Sequence, residues 1–123
     1  MESITVVPSD LTQEIVRDDT LVIRTGTALD NTNAHEMVDM ISSAQNKGFR
    51  FIVVDMTALE FLSSAGVGSI LGTVEISREA GGDIILCRVS EPIMHVLQVL
   101  DLAEFLTIKP DRQQALTVCG VTE

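Results

Sequence analysis

Ser63 and Ser64 are the residues of this chain best placed to carry chemistry. They follow the apolar run Phe51-Ile52-Val53-Val54 and the pair Phe61-Leu62, and they precede Ala65-Gly66-Val67-Gly68. The local pattern is a buried strand, a turn, and two adjacent hydroxyls where a helix should begin. A helix N-terminus leaves backbone N–H groups unpaired and carries a partial positive charge, so it receives a phosphate group well. An N-cap explains one of the two hydroxyls. A second hydroxyl, followed by two small residues that leave it sterically open, points to covalent modification. Phosphate there would add a charge of about −1.5 to −2 and three acceptor oxygens.

Other chemistries fit these residues less well. A nucleophile elbow needs glycine two positions before and after its serine. Around Ser64 those positions are Leu62 and Gly66, so one glycine is missing. The two histidines, His35 and His95, fall on separate helical stretches, and neither is placed by sequence near Ser64. Asp30, His35, Glu36 and Asp39 lie close together, with His35 and Asp39 four apart, but solvated helix faces carry such residues routinely. No metal site is expected. Gly66-x-Gly68 is only a fragment of a glycine-rich loop, without the lysine of a phosphate-binding loop or a complete dinucleotide fingerprint. Those glycines read as small residues at a tight helix start. Gly68 and Gly72, four apart, leave one helix face shallow and accessible. No cofactor is expected.

The elements that must position the serines follow from periodicity. Residues 4–7 form a short strand or arm, so that residues 1–10 extend the fold at its N-terminus. Leu11 to Arg17 and Thr20 to Thr25 read as a hairpin turning at Asp18-Asp19 and ended by Gly26. Asn31 to Lys47 is a helix with Ala34, Met37, Val38, Ile41 and Ala44 on one face, capped by Asn31 or Thr32 and stopped by Gly48. Phe49 to Asp55 is a central strand. Ala65 to Glu79 is the second helix, with Val67, Ile70, Leu71 and Val74 inward, ended by Gly81-Gly82. Asp83 to Val89 is a further strand. Ser90 caps a third helix with Pro92 in its first turn and Ile93, Val96, Leu97 and Leu100 inward. Phe105 to Ile108 is an edge strand. Pro110-Asp111 opens a last helix, with Gln114 placed as in a capping box and Ala115 and Leu116 inward. The order β-β-α-β-α-β-α-β-α implies an α/β fold with right-handed crossovers and a mixed sheet of four to five main strands and about four helices. One helix layer against one sheet accounts for every segment.

Composition narrows the function. The 123 residues suit one domain over 1–123, and 46% of them are hydrophobic, enough for a core. With 4 Phe and no Trp or Tyr, that core is aliphatic. A net charge of −10, from 18 acidic and 8 basic residues, argues against direct binding of nucleic acid or an anionic membrane, and favours a basic protein partner. Cys87 and Cys119, the only cysteines, have neither zinc spacing nor the number for a disulfide framework, and read as buried thiols in a reducing compartment. Met1-Glu2-Ser3-Ile4 lacks the basic start and apolar core of a signal peptide, and no apolar stretch approaches spanning length. A cytoplasmic location is expected.

As a set, these features resemble the anti-sigma-factor antagonist family, whose domain is called STAS. The resemblance rests on Gly26 and Leu29-Asp30 after the hairpin, on Ile52-Val53-Val54-Asp55, and on Ser63-Ser64-Ala65-Gly66-Val67-Gly68. Ala80-Gly81-Gly82, Ser90 and Leu100-Asp101-Leu102 extend it over nearly the whole chain. Two departures stand out. Ser63 occupies the place of the family's aspartate, leaving one fewer negative charge beside the acceptor, and two residues rather than one separate Gly26 from Leu29-Asp30.

The resemblance implies that Ser64 is the phosphoacceptor, with Ser63 a second candidate. It implies a partner-switching cycle. The unmodified protein binds an anti-sigma factor with serine kinase activity and so frees a sigma factor. Phosphorylation releases the complex, and a PP2C-type phosphatase resets it. The expected partner-binding surface is Asp30 with the turn Ser63, Ser64, Ala65, Gly66, Val67 and Gly68, continued along the exposed side of the helix by Ser69 and Thr73. No enzymatic activity of its own is implied. The competing implication is a non-switching adaptor or scaffold subunit in a signalling or lipid-transport complex, with the serine structural.

Overall fold

The computed structural model of the chain describes residues 4–6, as backbone, and 11–122. Its main sheet has six strands in the order β1-β2-β3-β5-β7-β8: β1 (Ile4–Val6), β2 (Thr12–Arg17), β3 (Thr20–Arg24), β5 (Phe51–Asp55), β7 (Asp83–Cys87) and β8 (Thr107–Lys109). A separate two-stranded ladder joins β4 (Ala28–Leu29) to β6 (Phe61–Leu62). The helices are α1 (Ala34–Asn46), α2 (Ser64–Glu79), α3 (Glu91–Val99) and α4 (Arg112–Val118). Strands β1, β2 and β3 pair antiparallel, whereas β3, β5, β7 and β8 pair parallel, as the alternation of strands and helices requires. The described part of the expected arm over residues 1–10 is β1, and the remainder lies outside the described residues.

The central strands are near-continuous apolar runs because they are covered on both faces. On one face Ile23, Ile52, Val54, Ile84 and Leu86 meet Met37 and Ile41 of α1, Val67, Ile70 and Val74 of α2, and Ile93 and Leu97 of α3. On the other, Val22, Val53, Ile85 and Cys87 meet Ala115, Leu116 and Cys119. The expectation of a single helix layer is therefore corrected. After the edge strand β8, α4 folds back over the other face of the sheet, against β5, β7 and β8. Arg17 holds its far end by donating to the carbonyls of Cys119 (2.6 Å) and Gly120 (2.9 Å).

Capping follows the sequence at three helices. Ser63, Ser90 and Asp111 each accept from the amide three residues on. At α1 the cap is neither Asn31 nor Thr32 but Asn33, whose side chain makes no cap bond. It donates instead to the Ala28 carbonyl (2.8 Å) and accepts from the Asp30 amide (2.9 Å), so the residues before α1 form a closed loop. Leu100, expected inward, is half exposed just past the end of α3.

Candidate functional site

The turn carrying the serines is held by two neighbouring segments. Asp55, buried at the end of β5, accepts from the Thr57 amide (2.9 Å), the Thr57 hydroxyl (2.5 Å) and Arg24 Nη2 (3.2 Å). Burial pushes its carboxyl up, but these donors and the Arg24 charge outweigh that and hold it below the ordinary 3.8. The loop shaped in this way returns through the amides of Glu60 and Phe61, which both donate to the Thr27 carbonyl, into the parallel β4–β6 ladder. The last bond of that approach is from the Ser63 amide to the Leu29 carbonyl, 3.0 Å.

At this point the two serines part company. Ser63 is extended (φ −92°, ψ 173°) and caps α2, its Oγ accepting from the Gly66 amide at 3.3 Å. Ser64 is the first helical residue, one earlier than the sequence suggests, and its side chain is exposed. Among the described residues its Oγ has no hydrogen-bond partner. Gly66 is required by the fold, because a Cβ there would stand 2.5 Å from the Leu29 carbonyl oxygen and 2.8 Å from Leu62 Cδ1. That oxygen lies where any side chain at 66 would go, so the Leu29 backbone fixes how α2 starts.

The same contact brings Asp30 to the site, since it follows Leu29 directly. Its carboxylate accepts from the Thr32 hydroxyl (2.6 Å) and the Thr32 amide (2.9 Å), and these two bonds, in that order, lower its pKa below 3.8. Asp30 is thus an anion at every physiological pH, fixed beside the start of α2.

Along α2 the expectation is met in part. Ser64, Ala65 and Gly68 are exposed, while Gly66 and Val67 are buried against Leu29 and the core. Ser69 (7% exposed) and Thr73 (2%), expected on the exposed side, are buried. At 3.6 residues per turn they point about 140° and 180° away from Ser64. Ser69 donates to the Gly66 carbonyl and Thr73 to those of Ser69 and Ile70, while Gln45 of α1 reaches across to Ser77 Oγ (2.9 Å) and the Thr73 carbonyl (3.0 Å). They form the seam with α1, and the surface drawn through them is corrected accordingly.

The side of α2 that continues from Ser64 is made instead by Gly68, Leu71, Gly72 and Glu75, which recur at three- and four-residue intervals. Leu71, expected inward, is only partly buried at the edge of this stripe. A Cβ at Gly68 or Gly72 would meet nothing within 4 Å. Each glycine inside a helix costs about 1 kcal/mol relative to alanine, and among the described residues no packing requires either of them. Phe61, 55% exposed, flanks the turn. Both thiols lie away from this surface, and burial raises each to about 11.

The candidate residues for metal chemistry do not converge. Among the described residues no group of three or more His, Cys, Asp or Glu side chains is placed to hold an ion, and His35 and His95 are exposed on different helices. No helix among the described residues is long and apolar enough to cross a membrane. What the site offers is an exposed, unpartnered alcohol on the first turn of a 16-residue helix, with a fixed carboxylate nearby and a smooth helix face leading away.

Comparison with known proteins shows the family and the fold. The family profile described as STAS domain matches residues 13–115. The anti-sigma F factor antagonist of Paenibacillus polymyxa is 29% identical over 98 residues, covering 79% of this chain and 84% of that protein. Among solved structures, the unphosphorylated form of the anti-sigma factor antagonist SpoIIAA superposes with a TM-score of 0.79 at 25% identity, over 92% of this chain and 99% of that one. The phosphorylated form of the Bacillus cell fate determinant SpoIIAA gives 0.70 at 26% identity, over 87% and 96%.

Proposed function

Because the chain belongs to the STAS-domain family, we propose that it is an anti-sigma factor antagonist that switches partners through Ser64. The observation that carries this reading is the exposure of Ser64 Oγ, unpartnered among the described residues, beside a serine that already supplies the cap. A hydroxyl that does no structural work can be esterified without dismantling the turn. The relatives named as antagonists, one of them solved in both phosphorylation states, support the same reading.

Unmodified, the turn and the Gly68–Gly72 side of α2 form the contact surface for an anti-sigma factor with serine kinase activity. In its active site Ser64 Oγ attacks the γ-phosphorus of ATP. The new O–P bond forms as the bond to the β–γ bridging oxygen breaks, ADP leaves, and the hydroxyl proton passes to a base of the kinase. The phosphate then sits at the N-terminus of α2, whose backbone amides and dipole receive it, so the fold changes little. Release comes from the surface. A dianion in the middle of a contact must be desolvated, at a cost on the order of several kcal/mol unless it is paired, and it adds to the charge of Asp30. A PP2C-type, metal-dependent phosphatase hydrolyses the ester and restores the alcohol. Phosphate on Ser63 would have to take over the cap to Gly66, which makes Ser64 the acceptor.

The test is incubation with the cognate kinase and ATP, followed by site mapping by mass spectrometry. One phosphate on Ser64, absent from Ser64→Ala, is expected. No incorporation, or incorporation that persists in Ser64→Ala, refutes the reading.

A further inference from the structure

Two turns beyond Ser64, the exposed side of α2 opens onto a groove of about 370 Å³ lined by Leu71, Gly72, Glu75, Leu102 and Phe105. We infer that this groove docks a basic, apolar segment of a protein partner, with one or two aliphatic side chains on its floor and lysine or arginine against its rim. The inference rests on the reading of this side of α2 as a partner-docking face, and adds to it a second, phosphate-independent contact.

Three observations carry it. First, the wall is preorganised. Phe105 is 40% exposed, yet Arg78 donates to its carbonyl (2.8 Å) and lies 4.7 Å from its ring centre. The Leu102 amide donates to Leu97 (2.8 Å), and the Leu106 amide to Leu102 (3.0 Å), so the segment between α3 and β8 is fixed as well. Rigid aromatic and aliphatic anchors of this kind lose little entropy on binding. Second, Gly72 lines the groove at a point where a Cβ would meet nothing within 4 Å among the described residues, so the space is left for an outside group.

Third, the charge selects the occupant. Glu75 lines the groove; Glu79, one helical turn further on, and Asp101 and Glu104, next in sequence to Leu102 and Phe105, are exposed. The cation against it, Arg78, is paired with Asp83 at 2.9 Å. The lining side chains offer no hydrogen-bond donor, which disfavours a polar small molecule. The acidic rim repels an anionic membrane surface, and a second copy of a chain with net charge −10 is repelled too. A basic apolar protein segment satisfies both floor and rim.

A suitable probe is a synthetic amphipathic helix with leucine on one face and lysine on the other, titrated into the ¹⁵N-labelled full chain and followed by amide shifts. Its charge-matched twin carries serine in place of leucine. Saturable shifts centred on Leu71, Gly72, Glu75, Leu102 and Phe105 are expected, with the twin weaker by about tenfold or more. Gly72→Leu, whose Cβ would meet nothing within 4 Å and whose side chain would occupy the groove, and Glu75→Lys should each weaken the peptide at least about fivefold with folding cooperativity retained. Ser64→Asp should leave peptide affinity within about twofold, because a modification at the end of the helix does not reach the groove. That arm separates the two ideas: a failed switch leaves groove binding intact, and a failed groove leaves phosphorylation intact. Equal binding of the twin, undiminished binding by Gly72→Leu, or loss of peptide binding in Ser64→Asp overturns the assignment. So do shifts at the same amides on concentrating the chain alone, which would assign the groove to a second copy.

Discussion

The two long sides of α2 are both built from small residues, for opposite reasons. On the inner side Gly66, Ser69, Thr73 and Ser77 are small because backbone and α1 press against them, and their hydroxyls are spent on carbonyls or on Gln45. On the outer side a Cβ at Gly68 or Gly72 would meet nothing within 4 Å among the described residues, and the Ser64 hydroxyl is unspent among them too. The inner side is explained by the fold. On the proposed reading the outer side is left open for a partner. Residue size alone does not tell the two apart, and steric demand does.

This contrast can be broken by substitution, beginning where the effect should be greatest. Gly66→Ala should destabilise by about 2–3 kcal/mol, as overpacking against a fixed backbone does, seen as a lower urea midpoint with the slope retained. A silent Gly66→Ala would remove the inner half of the argument. Asp55→Ala, which strips the anchor of the loop leading into the site, should cost about 2 kcal/mol through the donors it leaves unpaired. The sign of its pH dependence follows from the lowered carboxyl. Its stabilisation is present above the ordinary value of 3.8 and disappears as the pH falls below that through the folded-state value. The acid limb of stability below about pH 4 should therefore be flatter in Asp55→Ala than in the parent.

The paired serines sharpen the contrast. Ser63→Ala should cost about 1 kcal/mol through loss of the cap, and Ser64→Ala less than about 0.5 kcal/mol, measured by the same unfolding assay. Equal losses would mean that both hydroxyls are structural. The smallest effect belongs to Gly68→Ala, which should raise stability by up to about 1 kcal/mol, since the helix gains and nothing clashes. A loss at Gly68 would show that the outer side too is constrained from within.

How much of this was legible in the sequence depends on the range of the interactions. Helices and parallel strands could be read because apolar periodicity is local, and Ser63, Ser90 and Asp111 announced their helices by type and position. The position of α4 on the opposite face was not legible, because periodicity says that Ala115 and Leu116 are buried but not against which side of the sheet. The β4–β6 ladder was missed because two-residue strands have no period. At the site, the exposed Ser64 and the turn were readable. Ser69 and Thr73 are polar yet buried, because the angle around the helix decides which side they face. Counting residues from Ser64 was the available signal, and it leads to Gly68, Gly72 and Glu75. The role of Leu29, whose carbonyl both positions Ser63 and dictates Gly66, depends on a backbone atom and left no trace in residue type.

The proposed switch is that the chemical state of the Ser64 alcohol decides whether the anti-sigma kinase docks on the turn that starts α2. Its most direct test is a calorimetric titration of the cognate anti-sigma kinase with the parent chain, Ser64→Ala and Ser64→Asp. The account predicts parent-like affinity for Ser64→Ala, and for Ser64→Asp a loss of about tenfold or more. Equal affinity for the two variants would contradict it.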